Sequence, residues 1–270
     1  MSKSSTDNRP IKFVNAMPGF AEAHPIILAK DYKRDWIEKN AKHLHAFQEE
    51  LKKCPIDFYK EMWQKHSGHI VRCPGIRAFM NTGYIVPCPC DVIIETNGDG
   101  NTFRAADLAP QGGLRGAFKV STAHPREQFH DFTAVPDNTL KSVVKVITGW
   151  NIVPDERYVF LVTPPHYCNE NRFSGPVGIQ DPFSDTQINA FLYWHILKGR
   201  ETIKAGTPLC QYIPIPREFV QPDIVCETAV GDIIDKFIAL QNLIRLTTDR
   251  SQVKIKEAVK RVFKKEISDS

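Results

Sequence analysis

Proline and glycine interrupt this chain so often that no long helix can run through its middle. Nineteen prolines and fifteen glycines are spread along 270 residues rather than clustered. Proline lacks an amide proton and clashes with the preceding helical turn, and glycine supplies the positive φ of tight turns. Between these breaks the apolar runs are of strand length, so the punctuation predicts many short strands and turns. A composition of 42% hydrophobic and 24% charged residues is ordinary for a globular protein with a sizeable core.

The ends of the chain read differently from the middle. Residues 1–30 predict an extended segment with a flexible polar start and one short strand. Residues 31–69 predict a helical region, because Trp36, Leu44, Phe47, Leu51, Phe58 and Met62 fall near helical spacing, with a break at Pro55. From Ile70 to Phe219 strands are expected, over Ala117–Thr122, Leu140–Ile147 and Arg157–Val162 among others, with a hairpin turn at Asn97-Gly98-Asp99-Gly100. Residues 220–270 predict a helical hairpin, with Thr247-Thr248-Asp249 as its break and N-cap and a basic second helix. The predicted fold is therefore mainly β: a β-sandwich or barrel-like core, with β-clip and jelly-roll arrangements both open, flanked by N-terminal helices and the C-terminal helical hairpin.

Charge and cysteine usage bound the partners. A net charge of +4 is too small to point to nucleic acid by itself. Seven cysteines without a signal-peptide pattern read as reduced thiols, and no apolar run is long enough to span a bilayer. A cytoplasmic protein is expected, within the host cell if the chain is phage-encoded.

The densest series of structural signals lies between Pro176 and Glu218. Gly178 to Phe183 predicts a turn, Thr186 to Trp194 a strand, Lys198-Gly199-Arg200 a second turn, and Leu209 to Ile215 a strand entered through Gly206. Gly178 and Asp181, followed by Gly206, Leu209, Gln211 and Ile213, resemble the closing segment of dUTPase-like β-clip proteins. That resemblance implies Asp181 as a general base in nucleotide hydrolysis, with Arg217 or Arg172 neutralising phosphate. A serine-containing phosphate motif and a glycine-rich C-terminal lid are missing.

A wider resemblance, over most of the chain, is to an uncharacterised family of tailed phages of marine bacteria and of some bacteria. It is carried by Arg72-Cys73-Pro74-Gly75, Thr82 to Pro87, His124-Pro125 with Gln128, Trp150, Thr163-Pro164-Pro165 with Tyr167, and Ala205 to Pro208 with Gln211, Ile213, Pro214, Arg217 and Glu218. His166 stands where that family has glycine. The resemblance implies kinship and brings no activity or cofactor with it.

Each candidate for chemistry has a plain structural reading beside it. Cys88-Pro89-Cys90 lacks the spacing of a zinc pair and reads as core packing. His124 and His195 are the candidate metal ligands, with His130, His166, Asp131, Asp181 and Asp185 as further members of a His-His-carboxylate site; solvated or structural histidines are the alternative. His124, Gln128, His166, Tyr167, Asp181 and Arg217 form the candidate ligand-binding set, with Asp181 the candidate catalytic residue. The leading expectation is a non-enzymatic phage-type binding or assembly protein, homo-oligomeric and with a virion or host protein as partner. A small-molecule enzyme on the same core, nucleotide-hydrolysing or metal-dependent, is the first alternative. A nucleic-acid-associated protein using the terminal basic helix is the second.

Overall fold

Where apolar residues run between prolines and glycines, antiparallel strands form. The computed structural model describes residues 9–39, 73–108, 121–128 and 136–218, with scattered positions beyond 223 that include 234–239. The chain divides into two units, Met1–Phe219 and Val220–Ser270. In the first unit the elements run β1 (Phe13–Val14), α1 (Phe20–Ala23), β2 (Ile27–Leu28), α2 (Pro74–Asn81), β3 (Tyr84–Pro87), β4 (Asp91–Asn97) and β5 (Phe103–Leu108). They continue with β6 (Ser121–His124), β7 (Val143–Ile152), β8 (Tyr158–Thr163), β9 (Phe173–Ser174), β10 (Gly178–Gln180), β11 (Gln187–Trp194), β12 (Lys198–Ile203) and β13 (Pro208–Pro216). The architecture is mainly β, as the sequence predicts.

Three sheets share one core. The first runs β1-β7-β11-β9, with β6 also against β7; the second runs β10-β8-β13-β3-β2; the third is β12-β4-β5. Their inward residues meet in one buried cluster: Val144, Val146, Ile188 and Trp194 from the first sheet, Val86, Phe160 and Tyr212 from the second, Val92, Ile94 and Ile203 from the third. Burying a side chain such as Phe160 contributes about 1.5–3 kcal/mol, so this cluster supplies the main drive to fold.

The N-terminal segment closes both main sheets at their edges. β1 pairs with the end of β7, and β2 pairs with β3. Between them, the Phe20 ring packs on Trp150, whose indole Nε1 donates to the His24 carbonyl at 3.1 Å. Further along, the buried Arg34 guanidinium donates through Nη2 to the Met80 carbonyl at the end of α2, at 3.1 Å. Two-residue strands therefore hold this segment together with aromatic packing and a buried cation.

Three local expectations are corrected, the first being Gly178 to Phe183, expected as a turn, whose first three residues form β10 against β8. Residues after Ile70 were expected to begin strands, but 74–81 form α2: Pro74 occupies the first helical turn, where its missing amide proton has no intrahelical role. Lys198-Gly199-Arg200 was expected as a turn, but it is the start of β12, whose pairing with β4 runs from Lys198↔Asn97 to Ile203↔Val92. The charged, exposed residues there guard a sheet edge. By contrast, the turn between β4 and β5 forms where expected, with positive φ at Gly98 and Gly100 and the Asp99 carboxylate accepting from Asn101 N and Thr102 N. Of the predicted N-terminal helical region, 35–39 are helical, and 40–72 lie outside the described residues. Most of the predicted C-terminal hairpin also lies outside them, although 234–239 are helical. Among the described residues, no helix is long and apolar enough to cross a membrane.

Candidate functional site

Strand β8 carries a candidate group at each of its ends, and they differ in construction. At its start, Gln180 pairs with Phe160 and the next residue, Asp181, turns toward Arg217, which follows β13. The two side chains form a bidentate pair: Nη1 donates to Oδ2 at 2.6 Å and Nη2 to Oδ1 at 2.7 Å. The same Oδ1 accepts the Phe183 amide at 2.9 Å, closing an Asx turn before Pro182 and Phe183. The guanidinium then lies over the Phe183 ring, 5.0 Å from its centroid, and Nη2 also donates to the Tyr158 carbonyl at 3.3 Å.

These contacts set the chemistry of Asp181. The hydrogen bonds from Arg217, then that from the Phe183 amide, lower its carboxyl to about 2. It is ionised at neutral pH and is a weak base, since a general base works best when its pKa lies near the operating pH. Arg217 is correspondingly raised by the same carboxylate. The geometry is that of a turn-locking ion pair.

At the other end of β8, Thr163 leads into a turn with two non-glycine residues at positive φ, Tyr167 at 61° and Asn169 at 56°. Such conformations are uncommon for side chains of this size and persist only where the surroundings hold them. Here the holder is the N-terminal segment: Trp36 Nε1 donates to the Tyr167 carbonyl at 2.6 Å. Tyr32 and Arg34 flank the Cys168 thiol, and the Arg34 guanidinium lies 5.3 Å from the Tyr32 ring centroid. Burial pushes the Cys168 thiol up, so it stays protonated and is a poor nucleophile. His166 is exposed and sets its ring edge-on to Phe79 of α2, with centroids 5.5 Å apart. Glu170 and Arg172 pair beside this turn at 2.6 Å, and Arg172 Nη1 caps the Thr202 carbonyl at 2.5 Å.

The candidate residues do not converge. Asp181 with Arg217 stands at the start of β8, and His166 with Tyr167 lies beyond its end, about 17 Å away at 3.3 Å per residue. The Asp181 turn and the Thr163–Cys168 turn therefore stand at opposite ends of β8. His124 ends β6 on the first sheet and Gln128 lies in the 3-10 turn that follows: His124 pairs with Val143, its Nδ1 lies 2.8 Å from Gln128 Oε1, and its ring packs on Phe191 at 5.2 Å. Because that amide oxygen only accepts, the contact places a proton on Nδ1, and the buried Nε2 has no hydrogen-bond partner among the described residues.

His195 is held between two hydroxyls, with Nδ1 3.2 Å from Thr139 Oγ1 and Nε2 2.9 Å from Ser174 Oγ. Burial lowers its pKa, as expected of a neutral structural imidazole. Asp185 accepts the Gln187 amide at 2.9 Å. His130, Asp131, His69 and Arg72 lie outside the described residues. Among the described residues, no three His, Cys, Asp or Glu side chains are grouped as a metal site. Cys88 and Cys90 are buried in the core and burial raises their thiols to about 12 and about 11.

Sequence reasoning missed the residues that hold the strained turn. Tyr32, Arg34 and Trp36 carry no local motif, and the contacts that tie them to the rest of the fold are distant in sequence, Arg34 to Met80 at a separation of 46 and Trp36 to Tyr167 at 131. It also missed that β10 is an edge with a bare apolar face. Val177, Ile179 and Phe183 are 63%, 59% and 59% exposed, and β10 pairs only with β8 among the described strands. The signal was present as Val177 and Ile179 between Pro176 and Pro182, with Phe183 just beyond. No protein-family model matches this chain, and no curated protein matches it.

Proposed function

We propose that this chain is a non-enzymatic binding or assembly protein of the tailed-phage type, built on a β-rich scaffold. The observation that carries the reading is the apolar edge of β10, where Val177, Ile179 and Phe183 stand in solvent beside an ion pair that occupies Asp181. Exposed apolar residues grouped on a strand edge mark contact surfaces more often than catalytic ones. The side chains that favoured an enzyme are engaged in structure: Asp181 locks a turn with Arg217, and His195 bridges Thr139 and Ser174. The phage context rests on the family resemblance of the segments around Thr82, Thr163 and Gly206.

A nucleotide-hydrolysis assay tests this directly. The purified chain, incubated with deoxynucleoside and nucleoside triphosphates with and without added divalent metal, is expected to leave them intact. Turnover by the wild type that Asp181→Asn abolishes, with its thermal melt unchanged, contradicts the reading and restores the hydrolase alternative.

A further inference from the structure

We infer that β10 is a self-pairing edge, through which a second copy of this chain adds its own β10 antiparallel across a two-fold axis at Ile179. The inference rests on the assembly reading and names its surface and partner. β10 is hydrogen-bonded to β8 on one side and to no described strand on the other. Among the other described edge strands, β12 carries exposed Lys198 and Arg200, and β1 and β2 are two residues long with one exposed apolar side chain each, Val14 and Leu28. β10 has no charge between Val177 and Gln180.

The sequence around β10 limits how a strand can add. Pro176 and Pro182 have no amide proton, so the donors open to a partner lie between them, and because β8 takes alternate amides of the strand, only every second one from Val177 to Asp181 faces the free edge. An antiparallel copy centred in that window pairs Ile179 with itself, Gly178 with Gln180 and Val177 with Asp181. Gln180 is turned inward, accepting from Tyr212 Oη at 2.7 Å and donating to the Asp185 carbonyl at 2.7 Å. By strand alternation Val177 and Ile179 share the other face, so two copies join four apolar side chains in one stripe.

Charge favours a second copy over a charged partner. The chain carries a net +4, so two copies repel wherever lysine-rich surfaces meet. The rim of β10 instead presents one carboxylate and one guanidinium, Asp181 and Arg217, already paired and neutral. Such a rim neither repels its own image nor steers an acidic or basic molecule.

Sedimentation equilibrium of the full chain over the micromolar range tests this. Wild type is expected to associate to a dimer. Ile179→Lys is expected to raise the dimer Kd about tenfold or more, because two lysines then face each other at the axis, and Val177→Asp is expected to weaken it as well, because its carboxylate then faces Asp181 of the second copy. Both positions are exposed, so the thermal melts stay unchanged, and Val153→Lys, at an exposed position beyond the end of β7, leaves the dimer intact. A monomeric wild type overturns the homotypic pairing and leaves the edge to an extended segment of another protein. A dimer that persists in both β10 variants overturns the surface. Neither outcome bears on nucleotide turnover, so failure here is distinct from failure of the non-enzymatic reading.

Discussion

The two ends of β8 show how one strand can serve opposite purposes. At the Thr163 end, the strained turn at Tyr167 and Asn169 is flanked by Trp36, Arg34, Tyr32 and Phe79, and Trp36 and Arg34 donate to carbonyls far away in sequence. At the Tyr158 end, the Asp181–Arg217 pair is part-exposed, with side-chain exposures of 33% and 29%, and apolar residues stand beside it in solvent. The first arrangement contributes to folding stability. The second contributes little to it and leaves a surface open, because exposed ion pairs are weak and screened by salt.

Substitutions should separate the ends by size of effect. The largest loss is expected near the enclosed end at Gly83→Ala. Gly83 has φ of 78°, and a Cβ there would overlap the Tyr212 carbonyl, which is backbone and cannot swing aside. A loss of about 3 kcal/mol or more in chemical denaturation is expected. Arg34→Ala comes next, at about 2–3 kcal/mol, since it strips the charged donor from the Met80 and Ala29 carbonyls. Trp36→Phe, which removes only the indole donor to Tyr167, is expected to lose about 1 kcal/mol in the same measurement. If these three melt like wild type, the enclosed end does not hold the strained turn and the contrast fails.

Acid titration sharpens the comparison further. Burial depresses His195, so its contribution to stability is full above its unfolded value near 6.5 and falls as pH drops from there toward the lowered folded value. Melting temperature should therefore decline below neutrality, and His195→Gln should flatten that decline. Asp181 behaves differently: its contribution is present above the ordinary carboxyl value and is lost only as pH falls toward about 2. Replacing Asp181 by Asn should produce the smallest change of the series at neutral pH, and none in the slope between pH 5 and 8.

Much of this architecture was legible in the chain, and the failures have physical causes. β7, β8, β11 and β13 are long apolar runs whose boundaries are set by Gly and Pro, and such runs become strands wherever both faces are covered. α2 was misread because its eight residues begin at a proline, taken as a break when it was a start. β12 was misread because Lys-Gly-Arg has turn composition, and its strand conformation comes from pairing with β4. Asp181 and Arg217 were each singled out from the sequence. Their pairing was not, because 36 residues and the intervening β11, β12 and β13 separate them, and only tertiary structure returns one to the other. Tyr32, Arg34 and Trp36 lay in a segment read for helical spacing, and nothing local marked them as holders of a turn beyond residue 160.

The most direct test of the contrast is amide hydrogen exchange of the full chain at low and at high protein concentration. The account predicts that the amides of residues 177–181 gain protection as concentration rises, while those of the turn at 163–169 exchange at the same rate in both. Exchange at 177–181 that is independent of concentration, or protection that rises at the turn instead, would contradict it.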